Sequence, residues 1–131
     1  MLKLLLFLNS FYLGLGVFFS FYVAPTLFRV LEKEQAGRVV EKVFPAYFGL
    51  GLVIALVSLV LSFKLGRWLA LLVLINLLVL AFQEFYVLPL SHQLKLIDYQ
   101  AFMRWHGISM VLNVLSLLLV FVFCLLLLKR W

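Results

Sequence analysis

A chain of 131 residues that is 67% hydrophobic and 12% charged, with a mean hydropathy of +1.23, lies far outside the soluble range of roughly 45–50% apolar and about 25% charged residues. Four apolar stretches, each near the ~20 residues that span a hydrocarbon core about 30 Å thick, use most of this length and exclude a separate soluble domain. The net charge of +6 sits on basic residues placed singly or in pairs at the ends of apolar segments, which speaks against nucleic acid and for interfacial anchoring.

The first predicted span covers about 4–28, with Pro25 in its last turn, where disrupted backbone is close to water. Lys3 ahead of an apolar run imitates a signal peptide, but the run continues past the 7–15 residues of an h-region and no A-x-A site follows. The connection RVLEKEQAGRVVEK, from Arg29 to Lys42, is too charged for lipid. Its Val30, Leu31, Val39 and Val40 predict short interfacial helices broken near Ala36-Gly37.

The second span covers about 43–63 and meets the third, about 68–90, through the short loop Lys64-Leu65-Gly66-Arg67, so the two form an antiparallel hairpin. Pro89 ends the third. A connection from Ser91 to Arg104 leads to the fourth, about 105–128, which closes on Lys129-Arg130-Trp131. Trp68, Trp105 and Trp131 fall at interfaces, as an aromatic belt requires. The expected fold is an all-α integral membrane protein: one four-helix antiparallel bundle over residues 1–131 with short interfacial connections and both termini on one side.

Orientation is less sharply drawn. Lys3, Lys64, Arg67, Lys129 and Arg130 share the terminal side, and Arg29, Lys33, Arg38, Lys42, Lys95 and Arg104 the other. The acid-free terminal side favours cytoplasmic ends, in the inner membrane for a bacterial chain, while so even a balance also permits insertion in both directions.

Helices in lipid associate through small residues and through polar side chains that hydrocarbon would leave unpaired, so stripes of these mark the bundle interior. The first span carries Asn9, Tyr12, Gly16, Ser20 and Ala24, and the second Tyr47, Gly51, Ala55, Ser58 and Ser62. Asn76 and Gln83 share a face of the third, and His106, Ser109, Asn113 and Ser116 one of the fourth. Gly14, Gly16, Ser20, Gly51, Ala55 and Ser58 are expected to pack helices. Asn9, Asn76, Gln83, Glu84, His106, Ser109 and Asn113 are the candidates for a polar pocket. Glu84 is the acid inside a span, and an antiparallel third and fourth span would set it at the depth of His106, a pair suited to proton relay. The alternative is that Glu84 reaches water or a loop arginine.

No catalytic constellation and no metal site emerges. Two histidines, one cysteine and no close ligand pair fall short of the three or four ligands zinc or copper wants, and His92 lies in a connection. No cofactor is expected, haem on His106 being the alternative. Cys124, alone in the last span, cannot form an intramolecular disulfide.

The run GLGVFFSFYVAPTLFRVL followed by EQAGRVVEKVFPAYF resembles the transmembrane protein 205-like family, a small membrane domain of unknown function. The matching features are Gly14 and Gly16, Pro25 with Phe28, Ala36-Gly37, Phe44-Pro45 with Tyr47 and Phe48, then Pro89 and His106-Gly107-Ile108-Ser109 with Asn113. The resemblance implies a four-helix membrane domain and brings no activity with it. A looser likeness of the first span, to copper-resistance-type and protoporphyrinogen-oxidase-type membrane proteins, would imply metal or haem chemistry, but that span has no histidine.

The functional expectation is a noncatalytic membrane-embedded protein that partners the bilayer and either copies of itself or a larger membrane complex. The alternatives are a small-solute or ion transporter that uses the inward amides, and a haem- or metal-linked redox protein.

Overall fold

The computed structural model describes residues 1–130 and places them in four helices, each long and apolar enough to cross a membrane. These are α1 (Leu2–Val30), α2 (Lys33–Ser62), α3 (Arg67–Ile97) and α4 (Tyr99–Arg130). They form an all-α antiparallel ring in which α1 packs on α2 and α4, and α3 does the same. In hydrocarbon each backbone N–H and C=O must be paired within the chain, and helices achieve this locally. This is the architecture of an integral membrane protein.

The connections are tighter than the charge pattern implied. Leu31 and Glu32 alone separate α1 from α2, and Asp98 alone separates α3 from α4. Asp98 caps α4, its carboxylate accepting the Ala101 N–H at 3.2 Å. The α2–α3 turn relies on Gly66, whose φ of +150° a side chain rarely tolerates, and the Arg130 guanidinium donates to the Leu65 carbonyl beside it.

Two expectations fail here for the same reason. The predicted break at Ala36-Gly37 is absent, and residues 91–97, including His92, extend α3 instead of forming a connection. Each continued end packs on its hairpin partner, the start of α2 on the end of α1 and the end of α3 on the start of α4, with Ala36 and Ser91 buried, and Lys95 of α3 reaches across to bond Glu41 of α2. Tertiary contact thus sustains helix where local composition predicted surface.

The interior has two apolar clusters. Leu5, Leu69, Val73, Phe123 and Leu127 fill the terminal end, and Tyr12, Tyr47, Phe48, Ile54, Leu80, Leu117 and Val120 fill the middle. Without a hydrophobic drive between helices, close shape fit has to hold this middle together. Tyr12 and Tyr47 stack with centroids 5.2 Å apart, and each hydroxyl lies on a glycine of the opposite helix, Tyr12 on Gly51 and Tyr47 on Gly16. Gly14, expected to pack a helix, meets nothing and faces outward. Residues two apart on a helix point to nearly opposite sides, so only one of Gly14 and Gly16 can face the core.

Two wide turns interrupt the regular helix, at Phe19–Val23 in α1 and Gln83–Val87 in α3. In each, an N–H reaches back five residues, Ala24 to the Phe19 carbonyl and Leu88 to the Gln83 carbonyl. Each is followed at once by a proline, Pro25 or Pro89, which has no N–H and whose ring would strike the carbonyl four residues back in a regular helix. Both sites read Phe-Tyr-Val-x-Pro, at 21–25 and 85–89, so the two hairpins repeat one device. Helical segments of 17 and 16 residues precede the two turns, which therefore lie at similar depth.

Candidate functional site

Most of the inward polar groups bond one another. Asn9 donates to the Leu5 carbonyl and to Ser58 Oγ, both at 2.9 Å. Ser116 donates to Asn76 Oδ1 at 2.5 Å, tying α4 to α3. Gln83, fully buried, donates to the Ser109 carbonyl at 2.8 Å and accepts from Ser109 Oγ at 2.7 Å. Tyr47 donates to Asn113 Oδ1 at 2.9 Å, and Asn113 donates to Ser20 Oγ at 2.7 Å, joining α2, α4 and α1. Ala55 and Ser58 are buried on the same stripe of α2.

The structure thus divides the predicted pocket residues. Asn9 and Asn76 border only a void of about 10 Å³, room for at most one water. Glu84 is not among the residues that line the two large cavities. Its Oε2 backs onto the Gly49 position without a hydrogen bond, and no hydrogen bond or ion pair joins Glu84 to His106. His106 instead stacks on Phe102 with centroids 5.9 Å apart. Of the predicted set, His106, Ser109 and Asn113 line the two large cavities.

That space is a cleft at the end of the bundle away from the termini. Beyond its wide turn, the end of α1 packs on α2, and the end of α3 packs on α4. Between the two hairpins lies a cavity of about 560 Å³, walled by Phe44, Leu88 and Phe102 and edged by Lys33, Glu34, Glu41 and Lys95. A second cavity of about 260 Å³ continues it toward the bundle centre between α1 and α4, past Ala24, Pro25 and Met110. Phe28, Val40, Phe44, His106 and Ser109 border both. Lys95 Nζ lies 2.5 Å from Glu41 Oε1, and Lys33 Nζ lies 5.4 Å above the Tyr99 ring.

Ser20, Asn113 and Phe48 form the inner end of this space. Residues 7–100 match the family described as Domain of unknown function (DUF4149). The chain belongs to that family. The match takes in α1 and α2 and runs to the start of α4, and so includes both Phe-Tyr-Val-x-Pro sites and most of the cleft's charged edge. An uncharacterized protein of Aquifex aeolicus (strain VF5) is 56% identical over 117 residues, covering 89% of each chain. No solved structure matches. These matches support the expected small domain of unknown function, and the four apolar helices its membrane character.

The cleft's charged residues were missed as a group because the sequence reading placed them in a solvated connection. The available signal was the mixture of small and apolar positions at helical spacing through it, Ala36, Val40 and Phe44. The Asn113 node is open to direct test. Asn113→Leu removes the acceptor of Tyr47 and the donor to Ser20, and we expect a loss of about 1–2 kcal/mol in unfolding from mixed micelles with helix content unchanged.

Proposed function

We propose that the protein is a noncatalytic membrane-embedded accessory protein that holds a molecule in the cleft at one end of an otherwise closed bundle, and that it works assembled with copies of itself or within a larger membrane complex. The observation that carries this reading is the contrast along the bundle axis. The cleft ends at Ser20, Asn113 and Phe48, and beyond them Asn9, bonded to Ser58, and Asn76, bonded to Ser116, border a void of about 10 Å³. A solute crossing from the cleft to the terminal end would have to break interhelical hydrogen bonds and displace the packed Leu5, Phe123 and Leu127. Such a shape favours holding over passage.

The likeness to transmembrane protein 205-like proteins is compatible with this role, through Pro25, Phe28, Ala36-Gly37 and Phe44-Pro45, all in or beside the cleft. It transfers no activity. Proteoliposomes loaded with pH- and ion-sensitive dyes should leak no faster than protein-free liposomes, and crosslinking in the membrane should give a defined oligomer or a constant partner. Flux that disappears in Asn113→Leu would replace this reading with a transporter.

A further inference from the structure

We propose that the cleft is a site for one bilayer phospholipid with a phosphoethanolamine headgroup, an inference that rests on the cleft's being a holding site. The polar head lies among the charged residues of the outer cavity, and one acyl chain follows the inner cavity between α1 and α4.

The argument begins with the gradient of chemistry along the cleft. The outer cavity carries two cations, Lys33 and Lys95, and two carboxylates, Glu34 and Glu41. The inner cavity, reached past Phe28 and Phe44, is lined mainly by apolar side chains such as Phe21, Pro25, Met110 and Val114. Phe21 and Met110 are largely exposed on the outside of the bundle, so the inner cavity reaches the face that meets lipid. A ligand entering there comes from the membrane and is amphiphilic, with its head toward the loop end and its tail toward the bundle centre.

The charges then select the head. Lys33, Lys95 and the two carboxylates stand around one volume, and Glu34 is also paired with Arg38 at 3.5 Å, so a singly anionic head meets Lys33 and Lys95 but also faces the Glu41 carboxylate. A zwitterion has a partner for each sign. Lys95 and Glu41 already stand as such a pair, each about one-third exposed, with donor and acceptor capacity left over. A phosphate accepts from the lysine ammonium groups, and a primary ammonium donates to the carboxylates through charge-assisted hydrogen bonds. The trimethylated ammonium of phosphocholine has no N–H to donate. Phosphoglycerol has no cation at all. Phosphoethanolamine alone of these three supplies both halves.

The test is native mass spectrometry of the delipidated full chain in detergent, titrated with phosphatidylethanolamine, phosphatidylcholine and phosphatidylglycerol of identical acyl chains. We expect one phosphatidylethanolamine per chain, bound about tenfold more tightly than either competitor, the effect of about one charge-assisted hydrogen bond. Lys95→Gln should remove about tenfold of that affinity, and Ala24→Trp should block the acyl groove. Each variant is checked for unchanged helix content and unfolding midpoint, and Lys129→Gln, at the opposite end, should bind as the parent does. Equal binding of the three heads, a preference for phosphatidylglycerol, or full binding by a folded Ala24→Trp protein overturns the proposal. Loss of head selectivity in protein whose liposomes remain impermeable overturns the lipid assignment alone, whereas solute flux overturns the holding role beneath it.

Discussion

Gly51→Ala should destabilise the bundle by about 3 kcal/mol, an unusually large effect for one methyl group. A Cβ at this position would stand 2.5 Å from the Tyr12 hydroxyl oxygen, 2.6 Å from Cζ and 3.0 Å from Cε1. Those are atoms of a rigid ring, and the ring cannot retreat, because it is 1% exposed and stacked on Tyr47. Tyr47 in turn is held by its hydrogen bond to Asn113 and by its own seat on Gly16, so the strain spreads from α1 and α2 into α4. Removing the hydroxyl alone would not relieve it, since Cζ is nearly as close. Tyr12→Leu should. In equilibrium unfolding from mixed micelles, Gly51→Ala combined with Tyr12→Leu is expected to lose much less than the sum of the single losses. Additive losses would mean that the two residues do not share the contact.

Phe48→Ala is expected to cost about 3–5 kcal/mol and to change the cleft as well. Phe48 is 1% exposed, stacks on Phe44 at 5.5 Å and packs against Tyr47 at 5.0 Å. It belongs to the middle apolar cluster and also borders the inner cavity, so its ring is part of the wall between the two. Truncation leaves a hole that joins them. Hydrogen exchange should then rise at the amides around Tyr12 and Leu80, which the parent buries, while Leu5 and Leu127 at the terminal end keep their protection. Unchanged stability would show that Phe48 does not brace the middle of the bundle.

The four helices and their inward faces were legible in the sequence because lipid leaves so few choices. Asn9, Tyr12 and Gly16, the stripe from Tyr47 to Ser62, Asn76 with Gln83, and Ser109 with Asn113 and Ser116 are all buried, as helical spacing predicted. Depth along a helix follows from counting residues, but direction around it does not once the turn widens. The antiparallel order of α3 and α4 sets Glu84 at the depth of His106, but Glu84 lies inside the Gln83–Val87 turn with its Oε2 toward Gly49 of α2. The signal for that turn was the repeated Phe-Tyr-Val-x-Pro, visible only when the two halves of the chain are compared. The residues from Lys33 to Lys42 have the composition of a surface segment, and only the packing of Ala36 and the Lys95–Glu41 contact make them the wall of a cleft. A cavity is a relation between helices, and no single helix encodes it.

The matched wide turns also set the mechanics of the molecule. A five-residue hydrogen-bond step followed by a residue without N–H is the weakest rung in each helix, and the two weak rungs stand level with each other. At and below them, Gln83–Ser109 and the interlocked tyrosines grip all four helices; above them, only short helical arms continue. The protein is therefore built like a clothes-peg, with a stiff spring at mid-height and two compliant jaws whose gap is the cleft. The Lys95–Glu41 contact ties the two jaws across that gap, above the packed middle of the bundle.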